Sequence, residues 1–342
     1  MLASPVRALG AAMRRREFFG LLGGACIALP STAWAQGPRQ MRRVSLLLGW
    51  GENDPEIKGR VKAFRLGMRD LGWSEGRNVQ IEIRYAGVEP VSLNAHVADV
   101  IRLAPDVIVA HSSPVVAALL RTTSTTPIVF ATVNDPVGQG FISNLMRPGG
   151  NITGFSFIEP AIIGKWISLL SDVKSDLSRV ALMFNPDTAT YFDAYLRSFE
   201  TSSQRASIKL EPVHVRSVAE IEKAVAELGR EPGIGLMLAP EPYINAVRGA
   251  ILKAADQHRV PVISAYRQFV VEGALMSYGP DAADIFRRLS SYVDRILKGE
   301  SAGNLPAQSP DKFELVVNVK KAKALGLPLR DTFLQICDEV IE

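Results

Sequence analysis

The sequence predicts an α/β protein of two lobes, each a parallel sheet flanked by helices, with the lobes joined by three crossover strands. Three observations lead there. After residue 42, short apolar runs alternate with amphipathic stretches, the pattern of right-handed βαβ crossovers onto a parallel sheet. The alternation stops at Pro148-Gly149-Gly150 and then restarts. The chain has 342 residues, beyond one ordinary domain of roughly 100–200, so the restart reads as a second lobe. Apolar residues at 47% and charged residues at 22% are average for a globular protein, which excludes a disordered or collagen-like chain.

Residues 1–35 stand apart from this pattern. Arg14, Arg15 and Arg16 precede an apolar stretch from Phe18 to Leu29, a Pro-Ser-Thr break and then Ala33-Trp34-Ala35. That is the order of an export signal, and its apolar part is shorter than the about 20 residues a membrane span needs. Arg15-Arg16-Glu17-Phe18-Phe19 fits the twin-arginine pattern. Cleavage after Ala35 and a periplasmic mature chain are expected. Residues 1–12 add nothing to the signal, which makes Met13 a candidate start. Cys26 raises a lipoprotein alternative, but Gly23 stands where a lipobox wants Leu. Cleavage removes four arginines and one acid, so the formal charge falls from +4 to +1. The body then has no charge case for a nucleic acid partner. With only Cys337 left, neither an intramolecular disulfide nor a cysteine metal site is available.

The body reads element by element. Arg43–Gly49 (RVSLLLG) is a buried parallel strand ending at glycine. Ile57–Leu71 is a helix, with Val61, Phe64, Leu66, Met68 and Leu71 between charges and a stop at Gly72. Asn78–Tyr85 alternates as a strand, and Val91–Leu103 is helical. Asp106–Ala110 and Pro127–Ala131 are short buried strands around a helix from Pro114 to Thr122. In the second half, Ile162–Leu170, Phe192–Ser203, Val218–Leu228 and Ala246–Gln257 read as helices. Arg179–Phe184, Lys209–Val215, Gly235–Leu238 and Val260–Ser264 read as strands. NITGFSF (Asn151–Phe157) joins the halves, ALMSYG (Ala274–Gly279) crosses back before a helix over Ile285–Lys298, and FELVVNV (Phe313–Val319) crosses a third time. The expected division is 43–153 plus 277–310 for lobe 1, 154–276 for lobe 2, and 311–342 for the third crossover and a terminal helix.

Motifs for chemistry are absent. There is no GxSxG elbow, GxxxxGK[ST] loop, HExxH or CxxC, and no GxGxxG follows the first strand. His96, His111, His214 and His258 lack ligand-like spacing. Binding is therefore favoured over catalysis, with no cofactor and no metal.

Ligands of open parallel sheets collect beyond the strand C-termini, and the candidate residues follow from that rule. After the first strand comes Trp50. After the third come Ser112 and Ser113, where hydroxyls and the free N–H groups of a helix start can hold a carboxylate; the plain alternative is a helix cap. After the fourth come Asn134 and Asp135, with Asp135 either an acceptor for an amine or the anchor of an Asp-Pro turn. The second half offers Asn185 and Tyr191, then Glu241, then Tyr266, and Tyr278 on the return crossover. Aromatic residues at these ends suit a flat or apolar solute. Together they point to a small carboxylate-bearing solute, an amino acid or aromatic acid, held in a cleft between hinged lobes.

The strings LGWSEGRNVQIEIRYA, LAPDVIVAHSSP, PIVFATVNDPVGQGFISNL, RPGGNITGFSF, FNPDTATY, GALMSYG, YVDRILKGE and KFELVVNVKKAKALGL resemble the ABC-transporter substrate-binding proteins whose better-understood relatives take up aromatic amino acids such as tryptophan. The resemblance runs from Met13 to Glu342. It implies the two-lobed periplasmic binding protein fold and a monomeric receptor that delivers solute to an inner-membrane permease and its ATPase. The loops GWGENDP and HSSP depart from the Gly/Ser/Asn-rich and Thr/Gly-rich loops of relatives, so the solute stays open. Two other readings stay open as well. One is an exported enzyme with Glu241 and Asp135 as an acid–base pair. The other is a ligand-sensing module that docks to a membrane receptor.

Overall fold

The computed structural model describes residues 41–342 apart from 88, 190, 193–194 and 198–207. The export signal expected over residues 1–35, with its cleavage after Ala35, lies outside the described residues, as does most of the helix expected over Phe192–Ser203.

The first lobe runs β1 (Arg42–Leu48), α1 (Pro55–Asp70), β2 (Val79–Tyr85), α2 (Pro90–Arg102), β3 (Val107–His111), α3 (Ser113–Thr122), β4 (Ile128–Val133) and β5 (Ile152–Ser156). The second runs α4 (Ile162–Val173), β6 (Arg179–Phe184), β7 (Lys209–His214), α5 (Val218–Leu228), β8 (Ile234–Leu238), α6 (Pro242–Ala246), α7 (Arg248–Gln257), β9 (Val262–Ser264), α8 (Arg267–Val271) and β10 (Met276–Pro280). Helix α9 (Ala282–Leu297) returns to pack on α1. The chain ends with β11 (Phe313–Asn318), α10 (Val319–Leu325), α11 (Asp331–Leu334) and β12 (Glu339–Ile341).

The expected fold class is the one observed. One sheet is parallel with order β2-β1-β3-β4-β5. The other has order β12-β11-β10-β9-β8-β6-β7, parallel except where β10 meets β11. The chain passes between the lobes after β5, between β10 and α9, and again beyond Gln308, which bridges to Phe155 before the chain enters β11.

The first sheet is covered on both faces, as a parallel sheet must be. Along β1, Val44, Leu46 and Leu48 join the large core with Ile57, Phe64 and Met68 of α1 and Phe286 and Leu289 of α9. Leu47 points the other way, into a second core with Ile108, Ala110, Ile128 and Phe130 and with Val115, Val116 and Leu119 of α3. Full burial of such a side chain contributes roughly 1.5–3 kcal/mol. Helix α1 starts where Asp54 accepts the N–H groups of Glu56 (2.9 Å) and Ile57 (3.3 Å), with Pro55 in the first turn. The helix expected over Ala246–Gln257 is broken into α6 and α7 at Val247, whose ψ of 11° departs from the helical value. Helices α8 and α11 and strand β12 are three to five residues long, too short to carry a period.

Candidate functional site

Both sheets have a topological switch point. In the first, β1 lies between β2 and β3, and in the second, β6 lies between β7 and β8. At such a point neighbouring loops diverge and leave a crevice beyond the strand ends. Here the two crevices face each other. They close on a small cavity of about 10 Å³, room for about one water, lined by Trp50, Ser112, Ser113, Asn134, Tyr191, Glu241 and Tyr266, together with His111, Thr132 and three prolines, Pro114, Pro240 and Pro242. Larger hollows lie beside Arg60, Arg267 and Glu314 (about 200 Å³) and on the outer face of α1 (about 540 Å³). Neither of these holds a buried polar atom without a partner among the described residues.

The small cavity holds two. Ser112 Oγ and Thr132 Oγ1 are buried and have no hydrogen-bond partner among the described residues. Ser112 sits at φ 83°, ψ 154°, in front of α3, and the close approach of Gly49 makes room for it. A Cβ on Gly49 would lie 2.5 Å from Ser112 Oγ. Thr132 sits at φ 52° in a bulge of β4, where the register with β5 shifts between Ala131 and Val133. Bulges re-aim side chains beside functional sites. Both hydroxyls thus lie next to the partly positive start of a ten-residue helix, an arrangement whose chemistry suits an anion. Ser113 Oγ accepts from Gln139 Nε2 at 2.9 Å and keeps its own proton to donate.

Behind the aromatic wall lies a residue the sequence reading passed over. Arg60, 1% exposed, projects from α1. Its guanidinium stands 4.1 Å from the Trp50 ring centroid and 5.0 Å from that of Tyr266, and it pairs with Glu56. Its Nη1 is 3.1 Å from His111 Nε2, while the Gly49 N–H faces His111 Nδ1 at 3.3 Å. Burial, and then the Arg60 charge, hold the His111 pKa well below its usual value. A neutral imidazole has one acceptor nitrogen, so the two donors compete for it. Nothing in the sequence marked Arg60 out from the other charges of an amphipathic helix, and nothing marked the bulge at Thr132.

Glu241, 2% exposed, caps α6. Its oxygens accept from Thr188 Oγ1 (2.7 Å), Tyr243 N–H (2.7 Å), Ile244 N–H (3.0 Å) and Asn185 N–H (3.3 Å). Burial pushes its pKa up to about 7 against the pull of these donors. Asn134 ties the lobes together, donating to Tyr191 Oη (2.5 Å) and the Pro240 carbonyl (3.2 Å). Burial keeps the Tyr191 phenol protonated by raising its pKa well above the usual value.

The other three expected residues are placed elsewhere. Asp135, at φ 41°, accepts from the Gly138 N–H (2.8 Å) and orders its own turn. Asn185 accepts from the Asp187 N–H (2.8 Å). Tyr278 stacks on Phe313, and its carbonyl accepts from Trp166 Nε1.

Further contacts between the lobes lie beyond the cavity. Arg248 of α7 meets Asp54 at 2.7 Å, Asn245 meets the same carboxylate at 3.1 Å, and the Gln268 N–H donates to Glu56 at 3.0 Å. Among the described residues, no helix is long and apolar enough to cross a membrane and no acid, His or Cys cluster is arranged for a metal ion.

A sequence profile of the family described as ABC transporter substrate binding protein matches residues 53–341. A tyrosine-binding protein of Clostridioides difficile (strain R20291) is 22% identical over 273 residues, 80% of this chain and 78% of that protein. A conserved domain protein from Vibrio cholerae O1 biovar El Tor has the same fold with a TM-score of 0.81 at 24% identity, over 88% of this chain and all of that one. The ABC domain from Streptococcus pneumonia in complex with L-Trp matches with a TM-score of 0.81 at 19% identity, over 88% and 100% of the two chains. The matching family and relatives are solute-binding proteins and not enzymes, which removes the acid–base reading of Glu241 and Asp135.

Proposed function

This chain belongs to the ABC transporter substrate binding protein family, and on that premise we propose that it captures a small carboxylate-bearing solute, an amino acid or an aromatic acid, in the cleft between its lobes. In this reading it works outside the cytoplasmic membrane, as a twin-arginine export whose signal is cut after Ala35. It acts as a monomer and hands the solute to an ABC permease and its ATPase.

One observation carries the reading. Ser112 Oγ at the start of α3 and Thr132 Oγ1 in the β4 bulge lie buried and without a partner among the described residues, in a cavity that both lobes complete. A carboxylate there would receive two hydroxyl donors and the free N–H groups of the helix start. The tyrosine-binding relative and the L-Trp complex support a carboxylate of the amino acid class. Trp50, Tyr191 and Tyr266 supply the aromatic cover, and Asn134 closes the second lobe over it.

The test is mass spectrometry of small molecules released by denaturing freshly purified mature protein. A carboxylate in stoichiometric amount is expected. A released solute with no acidic group would sink the proposal. For the transport role, loss of the chain should abolish uptake of that same solute by intact cells, and unchanged uptake would leave a sensing module instead.

A further inference from the structure

The cleft cavity has room for about one water, so a solute enters only when the lobes part and the cavity walls move. Two of those walls meet across the cleft. Trp50 follows β1 of the first lobe and Tyr266 follows β9 of the second, with ring centroids 5.0 Å apart and planes at 87°. Both lean on one guanidinium, and the inference drawn from it rests on the reading of this cleft as the solute site, whatever the charge of the solute.

Arg60 Cζ lies 4.1 Å from the Trp50 ring centroid and 5.0 Å from that of Tyr266. The guanidinium also meets His111 Nε2 at 3.1 Å and pairs with Glu56 through Nη2. Glu56 uses its other oxygen to accept the Gln268 N–H of the second lobe at 3.0 Å. Arg60 thus reaches the second lobe twice, over the Tyr266 ring and through Glu56. It also borders the hollow whose other walls include Ser277, Gly279 and Pro280 of the crossover strand β10. At 1% exposure this cation has given up its water, and two rings, an imidazole and one carboxylate stand in its place.

When the lobes part, Trp50, His111 and Glu56 travel with Arg60, because all four belong to the first lobe. Tyr266 and Gln268 belong to the second and must leave. We propose that Arg60 is a positioning residue of the cleft: acting through Trp50 and Tyr266, it aligns these two walls and ties their arrangement to closure of the lobes. Lysine does not replace it. An ammonium is compact and strongly hydrated, and it lacks the planar face that stacks on aromatic rings. With lysine in its place the closed form keeps the cost of a buried charge and loses the stacking that offsets it, so the open form gains.

The experiment is small-angle scattering and near-ultraviolet circular dichroism of the exhaustively dialysed mature protein, with far-ultraviolet circular dichroism as the check on folding. Wild type should be compact. Arg60→Lys should be expanded, with its aromatic spectrum altered and its helix content kept. A purely structural role would lower stability and leave the radius of the folded protein unchanged. Arg60→Lys with the wild-type radius overturns the inference, as does a wild type already as expanded as the variant. If Arg60→Lys does not fold, Tyr266 decides. Tyr266→Phe keeps the ring over the guanidinium and should stay compact, whereas Tyr266→Leu loses it and should expand; equal radii for the two overturn the inference. None of these measurements needs a solute. A released solute without an acidic group would therefore remove the carboxylate reading and leave the role of Arg60 in place.

Discussion

Ser112 holds a backbone conformation that ordinarily belongs to glycine, yet carries a hydroxyl there, buried and without a partner among the described residues. Strain of that kind costs of order 1–3 kcal/mol, and an orphaned buried hydroxyl about 1–3 kcal/mol. Ser112→Gly relieves both, so the solute-free protein should melt about 2 °C higher or more while affinity for the co-purified solute falls. Scanning calorimetry and titration check the two halves, and a lower melting temperature would contradict the strain argument. Glu241 gives a second prediction, in pH. Its folded pKa, about 7, lies above the ordinary 4.5 because of burial. The folded state therefore holds its proton where the unfolded chain has lost it, so stability is lost as pH rises from 4.5 to 7 and is flat above. The loss approaches about 3 kcal/mol. Urea unfolding of wild type and Glu241→Gln at pH 5 and pH 7.5 reads it, since only wild type carries this contribution; equal pH dependence in both would mean the four donors keep the carboxylate ionised throughout. The strand-end rule was enough to name Trp50, Ser112, Ser113, Asn134, Tyr191, Glu241 and Tyr266. It was blind to Arg60 and Thr132, because a stacked guanidinium and a bulge arise from tertiary packing and leave no local pattern.

Elements were more legible than residues. Parallel strands buried on both faces read as unbroken apolar runs, so β1, β3, β4, β6 and β8 were visible at once. Helices α1 and α9 show their apolar faces in the spacing of Val61, Phe64 and Met68 and of Ile285, Leu289 and Val293. What spacing does not reveal is how closely two helices approach. Gly67 of α1 lies against α9, where an added Cβ would meet Ser290 Oγ and stand 2.7 Å from the Arg287 carbonyl. A backbone carbonyl cannot swing away as a flexible side chain can, so Gly67→Ala must push the helices apart. We expect a loss of about 1–3 kcal/mol in urea unfolding, although alanine is the better helix former. Combining it with Ser290→Gly should recover part of the loss and leave the carbonyl clash. Wild-type stability in Gly67→Ala would show that α9 is free to shift. The same helix pair packs with Trp50 in the large core that runs through both lobes, so a change in its spacing should also be felt at Trp50.

At the scale of the molecule, the question is what holds the lobes together. Asn134 reaches Tyr191 and Pro240 across the cleft, and a solute in the cavity would add to that bridge. The pairing of Asp54 with Arg248 lies outside the cavity, with side-chain exposures of 8% and 15%. It contributes to closure whether or not solute is bound. A ligand shifts such an equilibrium only by its differential affinity, and its apparent affinity scales with the closed fraction already present. Removing the pairing should therefore weaken binding of a solute that neither residue touches. Asp54→Asn is the suitable change, because asparagine still caps α1 while the charge that attracts Arg248 is lost. A charge-assisted bond of this burial is worth about 1.5–3 kcal/mol, so we expect affinity to fall about tenfold or more. Small-angle scattering should show the solute-free variant expanded relative to wild type and compact again at saturating solute. An unchanged radius together with unchanged affinity would mean that the pairing follows closure and does not drive it. Expansion without loss of affinity is excluded by the linkage itself, which makes the two measurements a check on each other.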